Sequence, residues 1–462
     1  MRIPSATTAK EGKDKGRLTS HIDKHKSRQK QGGEQAHKGL INVVVVGIGY
    51  VGLPLALLAR ARGYHVQGID IDEHKRNAVR NVTVADLEAP LTAALHDEPL
   101  EVSGHFGPVH DAHIVIICVP TPVDAEHNPD LSIVKNAARR VGRNLRKGTL
   151  IILESTVHPG TCEEIFIPTL EKSSGLQAGS DFAVAHCPER INPGDKTWPI
   201  ERIPRVIGAT TPKALAVAAG FYRSILSAPV HTMENIKEAE AVKVVENSFR
   251  DINIAFVNEL AMSFNKLGID VSNVLEGAAT KPFGFMLHQP GCGVGGHCIP
   301  VDPYYLIRYA RNNGFSHRFL SLARSINEDM PAYTVSLAEE GLHKLGRRLK
   351  GSNIALLGLS YKANVSDLRE SPSLDIKTLL ERKGALVRTF DEHAQDRSSV
   401  HSFADALNGA DAAIIATAHA EFTALPPSAF ATRGVRVVVD GRNCLPKEQY
   451  LRAGILYRGI GR

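Results

Sequence analysis

Residues 291–306 read GCGVGGHCIPVDPYYL. Four glycines crowd in front of Cys298, His297 precedes it, and Pro300 and Asp302 follow. A cysteine so placed could ligate a metal, fill a core, or act as a thiolate that adds to an electrophilic carbon. A structural zinc site needs about four ligands at workable positions. The six cysteines are Cys118, Cys162, Cys187, Cys292, Cys298 and Cys444, with no Cys-x-x-Cys pair. Cys292, His297 and Cys298 lie close together, but no second cluster completes a tetrahedron, so no metal is expected. A disulfide framework is not expected either in a long chain without a secretion signal. Cys292 is read as a structural or incidental thiol.

A second chemical signal lies upstream. Residues 41–52 read INVVVVGIGYVG. The valines predict a strand buried on both faces. It runs into Gly47-x-Gly49-x-x-Gly52 and then an apolar helix, LPLALLARARG. A second strand, HVQGID, ends in Asp70, eighteen residues past Gly52. Strand, glycine turn, helix and a strand-end acid together form a dinucleotide fingerprint. The glycines allow a tight turn and close backbone approach to a pyrophosphate, and the helix N-terminus favours its charge. The acid at position 70, with no arginine directly after it, favours NAD over NADP.

The elements that must position these groups follow the same pattern. HIVIICVPTP and TLIILESTVHPGTCEE are strands closing in polar turns, with Thr121 in the first and Ser155 and Thr156 in the second. DFAVAHCPERINPGD places Glu189 just past a third. Ligands of doubly wound sheets lie beyond the carboxyl ends of strands, so these turns should line the cofactor crevice. Residues 236–268 predict one long helix, with Val242, Val245, Phe249, Ile252 and Phe256 in an apolar stripe. Lys243 and Asn247 are four apart and share a face. From about residue 353 a second α/β pattern begins, without GxGxxG. Lys362, Arg369 and Arg442 are cations in its strand-end loops, where phosphates could bind.

Composition is that of a globular protein of two or three domains: 462 residues, 43% hydrophobic and 23% charged. No apolar run reaches the length of a membrane span, and the N-terminus lacks the apolar core of a signal peptide. A cytoplasmic protein is expected, with neither membrane nor nucleic acid as partner. Much of the net charge of +6 sits in residues 1–39, a polar basic stretch expected to form a disordered tail.

The segments GIGYVGLPLA, VPTP, ESTVHPG, PERINPGD, EAVKVVENSFRDINIAFVNE, GVGGHCIPVDPYYL, LGLSYKANVSDLRESPS and VDGRN resemble, in order and spacing, the UDP-glucose/GDP-mannose dehydrogenase family. The resemblance covers about residues 41–445. It implies an α/β fold: two Rossmann-like doubly wound domains joined by a central long-helix dimerisation domain. The expected divisions are 40–232 for NAD, 233–330 for the helical centre and 331–462 for the UDP-sugar. ATKPFGF, PERINPGDK and Val301-Asp302 look like the branch acting on UDP-N-acetylhexosamines, with UDP-N-acetylglucosamine the expected sugar.

By that resemblance, carbon 6 is oxidised to a carboxylate in two steps with two NAD. Cys298 is the nucleophile, and Lys243 and Asn247 stabilise the oxygen. Asp302 assists proton transfers; Thr156 and Glu189 position water or assist acid–base steps. Gly47, Gly49, Tyr50, Val51, Gly52, Asp70, Lys75, Thr121, Thr156 and Arg369 match NAD-contacting positions. Glu189, Arg190, Lys243, Asn247, Lys281, Gly295, Lys362 and Arg442 fall to the nucleotide sugar, with Lys281 at a place where relatives use a neighbouring subunit's cation. A homodimer is the minimum assembly. Other UDP-sugars, a two-electron hydroxyacid-type dehydrogenase and a non-catalytic sugar-nucleotide binder are the alternatives.

Overall fold

A computed structural model describes residues 41–84, 87–124, 127–191 and 197–462. The expected tail 1–39 and positions 192–195 of PERINPGD lie outside the described residues. The chain forms two compact units. The first comprises residues up to Thr121 together with Leu131–Lys243, and the second Pro122–Asp130 with Val244–Arg462.

The first unit is built on eight strands: β1 (Asn42–Val46), β2 (His65–Ile69), β3 (Glu101–Ser103), β4 (Ile114–Ile117), β5 (Leu150–Leu153), β6 (Ala183–His186), β7 (Arg205–Ala209) and β8 (Val230–Thr232). Their order is β3-β2-β1-β4-β5-β6-β7-β8. All neighbours are parallel except β6 and β7. Val43 to Val46 are buried because helices cover both faces of a parallel sheet. Strand order reverses between β1 and β4, which places a ligand crevice at their carboxyl ends. Helices α1 (Gly52–Ala61) and α2 (Glu73–Arg80) follow β1 and β2. The carboxylate of Asp72 caps α2 by accepting from the amides of His74 and Lys75.

Helix α3 (Ile236–Leu267) begins in the first unit and continues into the second. Its buried face is not the apolar stripe. Val245, Phe249 and Phe256 are 54%, 49% and 52% exposed. Ala239, Glu240, Lys243, Val244, Ser248, Asp251, Ala255 and Asn258 are buried instead. Small residues permit close packing there, and Glu240, Asp251 and Asn258 are hydrogen-bonded. Arg324 Nη1 donates to Asp251 at 2.7 Å, and Asn327 Nδ2 to the same carboxylate at 2.8 Å. Asn258 donates to Asn327 Oδ1 and accepts the amide of Gly291, both at 2.9 Å.

The second unit adds α4 (Val271–Ala279), α5 (Asp302–Asn312), α6 (Arg318–Lys344) and α7 (Pro372–Arg382). Pro372 starts α7 directly after Ser371, as expected. Its sheet contains β9 (Asn353–Leu357), β10 (Leu386–Phe390), β11 (Ala412–Ile415), β12 (Val437–Asp440) and β13 (Leu456–Gly459). They lie in the order β10-β9-β11-β12-β13, all parallel. This is the second Rossmann-like lobe.

Candidate active site

In the first unit the glycine turn is set by close backbone approach. The Gly47 amide donates to Ile69 O at 2.7 Å. A Cβ on Gly52 would lie 1.9 Å from Gly47 O, and one on Gly47 would lie 2.7 Å from Cys118 O. Asp70, nearly buried, accepts the amides of Ile48 at 3.1 Å and Asp72 at 2.9 Å. It therefore welds the turn after β1 to the end of β2. Tyr50 is exposed and Val51 and Gly49 are part of the same turn. Gly49 has open space where a Cβ would stand. This cradle fits a dinucleotide, with a short backbone turn for the pyrophosphate and an acid for a ribose.

Lys75 is exposed on α2, and its amide serves the Asp72 cap. The cation that reaches back to the strand end is Arg76, whose Nη1 donates to Asp70 O at 2.8 Å. Sequence reasoning missed it; its place on the inner side of α2 was the available signal.

Thr121 is buried at the end of the β4 turn, and Thr156 is half-buried after β5. Ser155 Oγ donates to Val119 O at 2.7 Å and ties the two turns together. Glu189 leaves β6 with its amide on Glu154 O at 3.3 Å, and its carboxylate accepts the amide of Ile191. Behind it lies Arg205, fully buried, with Nη1 3.8 Å from Glu154 and 3.9 Å from Glu189. Tyr222 donates to the same Glu154. Burial raises the Glu154 carboxyl despite the Arg205 charge. Arg205, 51 residues from Glu154, carried no sequence signal. Arg190 Nη1 donates to Pro204 O at 2.9 Å.

In the second unit Cys298 is exposed, at the start of a turn whose Asp302 amide donates to Cys298 O at 2.8 Å. Asp302 opens α5 and is buried, and its carboxylate accepts from Asn247 Nδ2 at 2.5 Å. The thiol-bearing turn is thus pinned to the α3 face that carries Asn247. Lys243, one turn earlier on α3, is buried. Arg369 is a charge within electrostatic reach of the thiol. Asp367 grips this guanidinium bidentately at 2.5–3.1 Å and holds its pKa up. Tyr361 and Cys298 are among its further electrostatic neighbours. His297 is a weaker candidate for that charge: burial first, and Arg369 second, push its pKa down, so the ring is neutral at pH 7.

The glycines before Cys298 meet protein. A Cβ on Gly295 would lie 2.7 Å from Glu370 O and from Tyr361 Cβ, and one on Gly296 2.7 Å from the Tyr361 ring. Gly296 also has φ +87° and donates its amide to Arg369 O at 2.9 Å. A side chain at either position would collide with the segment that carries Tyr361 and Glu370. Arg442 reaches Ala416 O at 2.8 Å and Gly293 O at 3.5 Å. Lys362 is half-buried after β9. Lys281 is exposed, with Nζ 4.9 Å above the Phe283 ring. Cys292 is fully buried and its thiol pKa is raised, in keeping with a structural role.

The second lobe repeats the first with one difference. Asp391 ends β10 as Asp70 ends β2, and accepts the amides of Leu359 at 2.6 Å and Ser360 at 2.8 Å. His419 Nε2 lies on Asp391 at 3.1 Å, and its Nδ1 accepts the Asn364 amide at 2.9 Å. The carboxyl is held well below the usual range by these partners, against burial. His393, His419 and Glu421 come within metal-ligating reach of one another. Both ring nitrogens of His419 are already engaged, which leaves it no lone pair for an ion.

A glycine-turn dinucleotide cradle with a strand-end acid on a doubly wound lobe is the mark of an NAD-dependent dehydrogenase. The chain matches the NAD binding domain over residues 41–226, the central domain over 237–329 and the UDP binding domain over 355–447 of one family. It belongs to the UDP-glucose/GDP-mannose dehydrogenase family. It is 38% identical to a UDP-N-acetyl-D-glucosamine 6-dehydrogenase of Pseudomonas aeruginosa, over 83% of this chain and 91% of that one. It is 36% identical to a UDP-N-acetyl-D-mannosamine dehydrogenase of Pyrococcus horikoshii, over 91% and 99%. The solved structure from P. horikoshii superposes with TM-score 0.85 and covers the same shares. A UDP-glucose dehydrogenase from Pyrobaculum islandicum gives 0.82 at 30% identity, over 93% and 100%. No helix among the described residues is long and apolar enough to cross a membrane.

Proposed function

We propose that this enzyme oxidises carbon 6 of a UDP-N-acetylhexosamine, UDP-N-acetylglucosamine first, to the uronate used in surface polysaccharide. NAD, when bound in the Gly47–Gly52 cradle, accepts a hydride. Everything else falls to side chains. Lys243 and Asn247 hold the carbon-6 oxygen, and the Asp302 carboxylate orients the Asn247 amide for that task. Loss of a hydride and of the hydroxyl proton, the latter taken up with the help of Asp302, turns the alcohol into an aldehyde. The Cys298 thiolate adds to the aldehyde carbon and makes a thiohemiacetal, whose oxyanion the same pair stabilises. Loss of a second electron pair, as hydride, leaves a thioester. Water held by Thr156 and Glu189 cleaves it, releasing the carboxylate and the thiol. Arg369 supplies the charge that favours thiolate. Lys75, Thr121 and Arg369 serve the cofactor; Arg190, Lys281, Gly295, Lys362 and Arg442 serve the nucleotide sugar. The domains run 40–232, 233–330 and 331–462.

The observation that carries this reading is the Asn247–Asp302–Cys298 linkage. It joins an exposed thiol to an amide able to donate to an oxyanion. The N-acetylhexosamine preference is supported by relatives that match most of the chain. NADH formation is measured across UDP-N-acetylglucosamine, UDP-N-acetylmannosamine, UDP-N-acetylgalactosamine and UDP-glucose. The expected result is two NADH per sugar, with the glucosamine form fastest. Equal or better turnover of UDP-glucose overturns the sugar assignment; one NADH per sugar overturns the four-electron chemistry.

The exposed stripe of α3 supports a homodimer. Three large apolar side chains on one helix face are a burden in water that a second copy would relieve. The double substitution Phe249→Glu/Phe256→Glu is expected to give a monomer in analytical ultracentrifugation, against a dimer for the unaltered protein. A dimer unchanged by both charges sets this interface aside.

A further inference from the structure

Glu240 lies three residues before Lys243 on α3 and is fully buried. Its carboxylate makes no ion pair among the described residues. Oε2 accepts the amide of Gly160 at 2.6 Å, and Oε1 accepts the amide of Cys162 at 2.7 Å. These amides end the segment ESTVHPGTC, which leaves β5 and presents Ser155 and Thr156. The chain turns helical from Cys162 onward, so the two N–H groups have no partner within that helix. A carboxylate suits them by charge as well as by geometry.

We propose that Glu240 is the positioning residue for Thr156. By gripping Gly160 and Cys162 it sets the turn that carries Thr156 from the same helix that carries Lys243. The carboxylate, rather than the neutral acid, does this, because only the anion offers both oxygens as acceptors. This rests on the reading that Thr156 and Lys243 serve the oxidation.

The arrangement has a pH consequence. Burial pushes the Glu240 carboxyl up to about 7, against the lowering effect of the two amides. The groups facing it are the Cys162 thiol and the Glu163 carboxylate, the latter paired with Lys237 Nζ at 3.2 Å. As pH falls through neutrality, Glu240 takes up a proton and the bidentate grip is lost. Above that range the grip is complete.

The test uses the full-length protein with NAD present, as Glu240→Gln and Glu240→Asp. Amide exchange over residues 155–163, read by mass spectrometry at pH 8, is expected to be about tenfold faster in the Gln variant and partly restored in the Asp variant. At pH 8, kcat should fall about 10- to 100-fold in the Gln variant. KM for the UDP-sugar should move far less. The ratio of wild-type to Gln-variant rate should shrink toward one below pH 6, where both carry a neutral side chain. Unchanged exchange overturns the proposal, and so does a rate ratio independent of pH. If the Gln variant does not fold, the Asp variant, which keeps the charge, decides by the same exchange measurement. If the wild type forms no NADH from any UDP-sugar, the oxidation reading fails, and exchange alone judges the grip.

Discussion

Replacing Cys298 by alanine is expected to abolish carboxylate formation, a loss of at least about a thousandfold. An aldehyde is a poor hydride donor until a nucleophile adds and makes its carbon tetrahedral. Without the thiol, the chemistry ends at the first electron pair. The exposed position of Cys298 and the hydrogen-bonded turn that holds it argue that the loss is chemical. Quantifying uronate and NADH together in a single-turnover assay checks this. Acid formation within tenfold of the unaltered enzyme would assign the thiol another role. Cys298→Ser should fall near the alanine variant, because a hydroxyl beside Arg369 is far less ionised than a thiol.

The second large effect is expected at Gly52. Alanine there would drive a methyl to 1.9 Å from Gly47 O and 3.0 Å from Val45 Cγ1. Neither neighbour can yield cheaply: one is backbone of the turn, the other lies in the fully packed strand β1. Overpacking of this kind costs about 1–3 kcal/mol or more. The turn must open, and with it the close approach on which dinucleotide affinity depends. The Kd for NADH, followed by its fluorescence, should rise by at least about a hundredfold. Gly49→Ala, in the same turn but with open space where its methyl would stand, is the internal control. An unchanged Kd in Gly52→Ala would separate the glycine turn from cofactor binding.

Local patterns made the first lobe legible. The valine run, the glycine turn and Asp70 fall within thirty residues of one another, and each acts on its neighbours along the chain. The long helix was legible by its period, but its inward face was not. The apolar stripe that a helical wheel would turn toward a core is the one left outside, and the buried face is small and polar. Hydropathy reports affinity for apolar surroundings without saying whether this protomer supplies them. At the cysteine, the residue types were legible and the electrostatics were not. The lowered pKa of His297 comes from burial, and the charge beside Cys298 comes from Arg369, 71 residues later. The partners of Gly295 and Gly296 lie on a loop more than sixty residues away, so their tightness had no sequence signature. Arg205 and Glu240 illustrate the same limit. Each joins segments far apart in sequence, and a buried charge becomes visible only when its partners are.

The glycine turn of the first lobe bears on the order of events. Gly47-x-Gly49-x-x-Gly52 stands at the end of β1, and the strand-end loop after β9 reads GLSYK, without that motif. On the proposed four-electron oxidation, two pairs of electrons leave through that one cradle, which then works as a turnstile. The reduced coenzyme must depart and a fresh one arrive while the half-oxidised sugar waits. The waiting intermediate needs a tether. A covalent bond to sulfur, unlike a hydrogen bond, does not let go during the changeover.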